Sequence, residues 1–182
     1  MLYAQKQITL KDGRRATIRN PRESDALAMI DYLKTCARET DFLLFTEEEF
    51  DITPEQEAAF LRQINDSKTT LMLVCEVDGE LAGNCQIAFQ TRRKVQHRAT
   101  VAIALVSRFW GLGIGTALLT QMIALARAQG VCQLELEVVE GNERAMGLYR
   151  KVGFEVFGER PDALRLADGT MRSTYLMRNV LI

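Results

Sequence analysis

The sequence predicts a mixed α/β domain of α+β character, and three observations carry that reading. Two hairpin signals, Lys11-Asp12-Gly13 and Asp78-Gly79, stand between runs of β-type residues. Helical spacing of apolar residues recurs between these β sections. After about residue 110 the rhythm changes to helix, strand, helix and two closing strands. The order is ββαα-βββ-αβ-αββ.

Each element has a local reason. Ile8-Thr9-Leu10 and Arg15 to Arg19 flank the first turn, and Pro21 ends the second strand. Ser24 or Asp25 can cap a helix running to about Arg38, with Ala26, Ile30, Leu33 and Ala37 on one face. Thr53-Pro54-Glu55-Gln56 is a capping box with proline at the first helical position, and Phe60, Leu61 and Ile64 form the apolar face that follows. Thr69 to Val77 and Glu80 to Gln90 are strands joined at Asp78-Gly79; Arg92-Arg93-Lys94 makes a polar turn into a third strand, His97 to Leu105. Gly113 to about Gln129 is apolar around most of its circumference and predicts a buried helix. Gln133 to Val139 alternates as a strand. Asn142 is a suitable N-cap, Ala145, Leu148, Tyr149 and Val152 follow at helical spacing, and Gly153 supplies the stop. Phe154 to Arg160 and Arg172 to Leu181 close the chain around Asp168-Gly169.

Composition narrows the function classes. The chain has 182 residues, 47% hydrophobic and 26% charged, which is enough for one domain with a full core. Its net charge of −1 and pI near 6.0 give no general field for nucleic acid or an anionic membrane. No segment approaches the roughly 20 apolar residues of a membrane span, and the first ten residues hold no apolar run of signal length, so a cytoplasmic protein is expected. Cys36, Cys75, Cys85 and Cys132 are dispersed without a CxxC pair and are read as buried free thiols, and with a single histidine no metal site is expected.

The sharpest local feature is Arg108-Phe109-Trp110-Gly111-Leu112-Gly113-Ile114-Gly115-Thr116, between a strand and the buried helix. Glycines permit close backbone approach and positive φ, and the helix start offers unpaired N–H groups at a positive dipole end. Together they suit a phosphate. A Walker A loop needs a lysine after its last glycine, and here Thr116-Ala117 follow. A dinucleotide fingerprint needs GxGxxG directly after a strand, whereas the spacing here is Gly111-x-Gly113-x-Gly115; Glu140 could mimic the ribose-binding acid, but the preceding strands read as antiparallel.

Arg108-x-x-Gly111-x-Gly113 resembles the R/Q-x-x-G-x-G/A signature of the GCN5-related N-acetyltransferases. The stretch Asn142-Glu143-Arg144-Ala145-Met146-Gly147-Leu148-Tyr149-Arg150-Lys151-Val152-Gly153-Phe154 resembles that family's N-x-x-A-x-x-L-Y-x-x-x-G-F motif, in family order and at family spacing. The resemblance covers essentially the whole chain. It implies a mixed, largely antiparallel sheet of about seven strands, splayed in the middle and flanked by about four helices, with acetyl-CoA in the cleft between His97–Leu105 and Gln133–Val139. By resemblance, the amides from Gly111 through Leu112, Gly113, Ile114 and Gly115 to Thr116 would hold the CoA pyrophosphate. Main-chain groups near Ile103 and Leu105 would pair with the pantetheine arm, and Asn142 and Tyr149 would lie close to the thioester.

The implied reaction moves the acetyl group of acetyl-CoA to a primary amine by direct attack. The acceptor could be a small molecule or a protein N-terminus. The other reading is a non-catalytic acyl-CoA-binding module of the same fold. Tyr149 is the candidate acid. Many relatives carry a glutamate on the strand before the glycine turn, where this chain has Thr100. His97, Glu76, Glu137 or a water chain remain as proton acceptors. Phe42, Phe45 and Glu47-Glu48-Glu49 fall where the family often walls its acceptor pocket; the acidic run reads either as a lure for a cationic amine or as a solvated loop. The resemblance leaves room for a homodimer.

Overall fold

The computed structural model describes residues 1–181. Its elements are β1 (Lys6–Thr9), β2 (Arg15–Arg19), α1 (Ala26–Glu39), α2 (Pro54–Asp66), β3 (Thr70–Val77), β4 (Glu80–Phe89), β5 (Arg98–Leu105), α3 (Ile114–Ala128), β6 (Gln133–Val139), α4 (Glu143–Lys151), β7 (Glu155–Arg165) and β8 (Met171–Val180). All eight strands join one sheet in the order β1-β2-β3-β4-β5-β6-β8-β7. That is one strand more than the resemblance implies, because the first hairpin contributes both its strands to this sheet.

The two hairpin turns form for the expected reason. Gly13 has φ +88°, and Asp78 and Gly79 have φ +51° and +84°, the left-handed pair that a two-residue hairpin requires. The capping box of α2 is complete: the Gln56 N–H donates to Thr53 Oγ1 at 3.3 Å, and the Thr53 N–H donates to Gln56 Oε1 at 2.8 Å.

Four details differ from the sequence reading. In α1 the buried residues are Ala26, Met29, Ile30, Tyr32 and Cys36, while Leu33 and Ala37 are half-buried. The helix is turned so that the Tyr32 hydroxyl donates to the Ala104 carbonyl at 2.7 Å and accepts the Asn84 N–H at 3.1 Å. In α2, Leu61 and Ile64 face inward as expected, but Phe60 is exposed and Glu57 is buried in its place. Strand β7 runs on to Arg165 past Pro161, which is tolerated because β7 is an edge strand with no ladder on its outer side. Cys132 is exposed, whereas Cys36, Cys75 and Cys85 are buried; all four thiols are free.

One pairing decides the architecture. Neighbouring strands run antiparallel except β5 and β6, which are parallel and pair at only three positions: Arg98↔Gln133, Ala99↔Leu134 and Thr100↔Glu135. Beyond Thr100 and Glu135 the two strands part. The sheet therefore opens as a V in its middle, with its wide end at the glycine turn. The helices α1 and α2 pack on each other, α1 against β4 and α2 against β3, and α3 packs against β3, β4 and β5. Among the described residues, no helix is long and apolar enough to cross a membrane.

Candidate active site

The V encloses a cavity of about 770 Å³, within the range of small-ligand pockets. One edge is β5. The Gln90 N–H donates to the Arg98 carbonyl and the Val106 N–H to the Ala82 carbonyl, so the even-numbered peptide groups of β5 face β4. The Cys132 and Gln133 N–H groups donate to the His97 carbonyl, so the odd-numbered groups face β6. Past the fork at Thr100 those odd-numbered groups have no strand to pair with. The Leu105 carbonyl is taken by the Trp110 indole N–H at 2.8 Å. Ile103 thus presents an open main-chain edge to the cavity, the kind of edge an extended amide chain can join as an added strand.

At the wide end lies the glycine turn. Gly111 and Gly113 have φ +79° and +97°, so both stand in the left-handed region that favours glycine. Gly113 is the N-cap of α3 and has no side chain to cap the first turn. The first intrahelical bond is made by the Ala117 N–H, which leaves the amides of Ile114, Gly115 and Thr116 free of helical partners. Ile114 is fully buried and anchors the turn, and the Leu112 carbonyl is tied back by the Lys11 N–H at 3.1 Å. Gly115 has a second reason to be glycine: a Cβ there would stand 2.8 Å from Leu148 Cδ2, so it allows α3 to pack on α4. The stem of Lys11 passes Gly113, with Cγ at 4.0 Å from where a Cβ would sit. Arg108 of the motif is turned away, donating to Glu80 at 2.6 Å.

Helix α4 supplies the face opposite β5. The Asn142 side chain accepts the Ala145 N–H at 3.1 Å and caps the helix, and Asn142, Ala145 and Tyr149 line the cavity. Tyr149 is buried and packs at 6.1 Å from Phe154, and its hydroxyl has no hydrogen-bond partner among the described residues. Burial, with a smaller contribution from Cys85, raises its pKa well above the ordinary phenol range, so the group stays a proton donor.

On the α1 face the register sets Thr100 beside Glu135, with Glu137 two residues further along β6. Both carboxylates line the cavity. Glu135 Oε1 accepts from Gln133 Nε2 at 2.6 Å and lies 3.4 Å from Arg98 Nε. Glu137 Oε2 accepts from Arg160 Nη1 at 2.8 Å and from the Thr174 hydroxyl at 3.4 Å, which leaves its second oxygen unpaired. The segment after α1 roofs this side with Phe42, Leu43, Leu44 and Phe45. Phe42 reaches across to Gly141, where a Cβ would lie 3.9 Å from its ring.

The expected site residues therefore separate. The cavity collects Ile103, Leu105, Asn142 and Tyr149, and its lining includes Trp110, the residue just before the glycine turn. His97 is exposed in the turn before β5, beyond the closed end of the fork, and is not part of the cavity wall. Glu76 is held in an ion pair with Arg19 at 2.7 Å. In the acidic run, Glu47 pairs with Arg38 and Glu49 accepts the Thr46 N–H, while Glu48 is exposed. Arg160, Thr174 and Leu176 drew no attention as sequence, since only strand pairing brings β7 and β8 beside Glu137.

The sequence model of the acetyltransferase (GNAT) family matches residues 30–154, more than half of the chain and including the fork, the glycine turn and α4. The chain belongs to the GNAT family of acetyltransferases. Enzymes of this family use acetyl-CoA, and this GNAT chain has the free β5 edge and uncapped α3 start that such a group fits. It is 34% identical over 110 residues to an L-amino acid N-acetyltransferase of Escherichia coli, a match spanning 59% of this chain and 67% of that protein. It is 33% identical over 70 residues to a methionine sulfoximine and methionine sulfone acetyltransferase of Pseudomonas aeruginosa, spanning 38% of this chain and only 41% of that enzyme. A GNAT acetyltransferase from Streptococcus pneumoniae has a similar structure, with a TM-score of 0.83 and 29% identity over 91% of this chain and 99% of that one. A putative acetyltransferase from Salmonella typhimurium, solved with acetyl-CoA, shares the fold at a TM-score of 0.75 and 18% identity, covering 92% and 94% of the two chains.

Proposed function

We propose that the protein transfers the acetyl group of acetyl-CoA to the primary amine of a small molecule, by direct attack while both substrates are bound. The observation that carries this reading is a single cavity with a proton donor on one side, Tyr149, and a carboxylate with a free oxygen on the other, Glu137. Acetyl-CoA supplies an activated acyl group and a thiolate leaving group. The amides of Ile114, Gly115 and Thr116, with Lys11 alongside, hold its phosphates, and Ile103 pairs with its pantetheine amides.

Glu137 receives the ammonium form of the acceptor, takes its proton and leaves a lone pair free to attack. The Tyr149 hydroxyl gives a proton toward the departing sulfur. Thr100 cannot accept a proton, and Glu137 on the neighbouring strand fills that need from the same face. Cys36 lines the cavity wall, and burial pushes its thiol up to about 11 despite the neighbouring Tyr32 hydroxyl. A thiol that stays protonated at neutral pH is a poor nucleophile, which supports direct transfer over an acetylated enzyme. The roof from Phe42 to Phe45 favours a small acceptor, and relatives named for amino acids make an amino acid the first acceptor to test.

The test compares wild type, Glu137→Gln and Tyr149→Phe by following CoA release across pH. Each substitution should lower kcat by roughly 100-fold, with the Kd for CoA unchanged. In wild type the rate should show no downturn up to the ordinary phenol pKa of about 10, because burial keeps Tyr149 protonated. An unaltered kcat in Glu137→Gln would remove it as the proton acceptor.

A further inference from the structure

The acceptor side of the cavity holds an ion pair that the transfer chemistry alone does not require. Arg160 of β7 reaches Glu137 of β6 across β8, and its guanidinium spends one N–H on Glu137 Oε2. The remaining N–H groups of Arg160 make no side-chain hydrogen bond among the described residues, and Glu137 keeps its other oxygen free. Two opposite charges thus stand side by side at 2.8 Å, each with unused capacity, on the wall of one cavity.

That arrangement complements a zwitterion. In an α-amino acid the ammonium and the carboxylate are bonded to the same carbon, so the two charges are held as close as those of Glu137 and Arg160. The ammonium meets Glu137, and the carboxylate meets the guanidinium, whose fork suits a carboxylate. The surroundings are apolar. Leu176 stands directly across from Glu137 in the β6–β8 register, and Gly158 stands across from Leu176. A Cβ at Gly158 would lie 3.4 Å from Leu176 Cδ1, so the glycine leaves the leucine side chain uncovered. Phe157, Phe42 and Phe45 complete this wall. Among the described residues, the cavity's other charged lining residues are Glu135, engaged by Gln133 and Arg98, and Arg144, whose guanidinium lies over Trp110 at 4.8 Å.

We infer that the acceptor is a free α-amino acid with an apolar side chain, its carboxylate held by Arg160, its amine by Glu137, and its side chain against Leu176 and the phenylalanines. This rests on the acetyltransferase reading and assigns Arg160 as the residue that tells a free amino acid from a simple amine or a peptide N-terminus.

The experiment measures kcat and KM for CoA release with acetyl-CoA and a panel of acceptors. The panel is L-leucine, L-leucinamide, 3-methylbutylamine, the peptide Leu-Gly-Gly, L-aspartate and L-lysine. L-Leucine should exceed L-leucinamide and 3-methylbutylamine by roughly tenfold or more in kcat/KM, with the difference in KM, as expected for one charge-assisted hydrogen-bonded pair. In Arg160→Gln that ratio should collapse toward one, and Arg160→Lys should restore part of it. Arg160 is largely exposed on an edge strand, so both variants should fold, which circular dichroism checks. Equal turnover of leucine and its amide, or an unchanged ratio in Arg160→Gln, overturns the carboxylate assignment and leaves the acetyltransferase intact. Preference for aspartate or lysine overturns the apolar assignment. Absence of turnover with every amine overturns the acetyltransferase reading and this inference with it.

Discussion

Cys75 and Cys85 lie in the neighbouring strands β3 and β4, and neither has any solvent exposure. Burial pushes Cys75 up to about 12 and Cys36 up to about 11, and raises Cys85 as well. The sign follows from linkage. Below the ordinary thiol pKa, folded and unfolded chains are both protonated, and the full benefit of burial is present. As pH rises past that value, the unfolded chain ionises and the folded chain does not, so stability falls. The urea midpoint should therefore be level between about pH 7 and 8 and decline from about pH 9 upward. Cys75→Val should make the decline shallower. A decline of equal slope in that variant would assign the alkaline loss to other groups. Of the two residues proposed as acid and base, Tyr149 was legible as an inward-facing helix residue because its motif fixes both the helix and its face. Glu137 was visible as one of several candidate proton acceptors, with nothing in the sequence to set it apart from His97 or Glu76. Alternation says that Glu135 and Glu137 share a face, and only the parting of β5 and β6 says that this face lines a cavity.

Among the elements, the glycine turn is the one proposed to hold the phosphates of acetyl-CoA. Its usefulness comes from what it lacks: no capping side chain, no Cβ at Gly111 or Gly113, and no partner for three amides at the start of α3. Lys11 adds charge from a hairpin more than a hundred residues earlier in the chain. Lys11→Glu should raise the Kd for CoA by roughly tenfold in dilute buffer, and the difference should shrink at high salt, where exposed charges are screened. Calorimetric titration at two ionic strengths reads this directly. An affinity unchanged at both would separate Lys11 from the phosphates. The hairpin turns, both caps and β6 could be read from the sequence, because each depends on residues within a few positions of one another. The length of β7 could not. Pro161 ordinarily stops a strand, and its tolerance here depends on β7 lying at the edge of the sheet, a fact set by long-range pairing.

Across the whole molecule, the site is a product of topology. The hairpin turns pair β1 with β2, β3 with β4 and β7 with β8, but pattern alone leaves open how these pairs join with β5 and β6. The single parallel pair, held for three residues and then released, converts a sheet into a sheet with a cleft. The family motifs anticipated that cleft by resemblance, because local patterning contains no signal for where two strands part. In the proposed reaction the cleft sorts the chemistry: free main-chain groups of β5 and helix amides for acetyl-CoA, Tyr149 as acid, and Glu137 with Arg160 for the acceptor. Near-zero net charge is consistent with this arrangement, since a turn of uncapped amides with one lysine needs no broadly basic surface. The most direct measurement is the product of a reaction between the purified protein, acetyl-CoA and L-leucine or L-phenylalanine, analysed by mass spectrometry alongside thiol release. N-acetyl amino acid and free CoA should form in equal amounts. CoA bound tightly, with no acetylated product from these or any other amine, would contradict an enzyme and leave a binding module in its place.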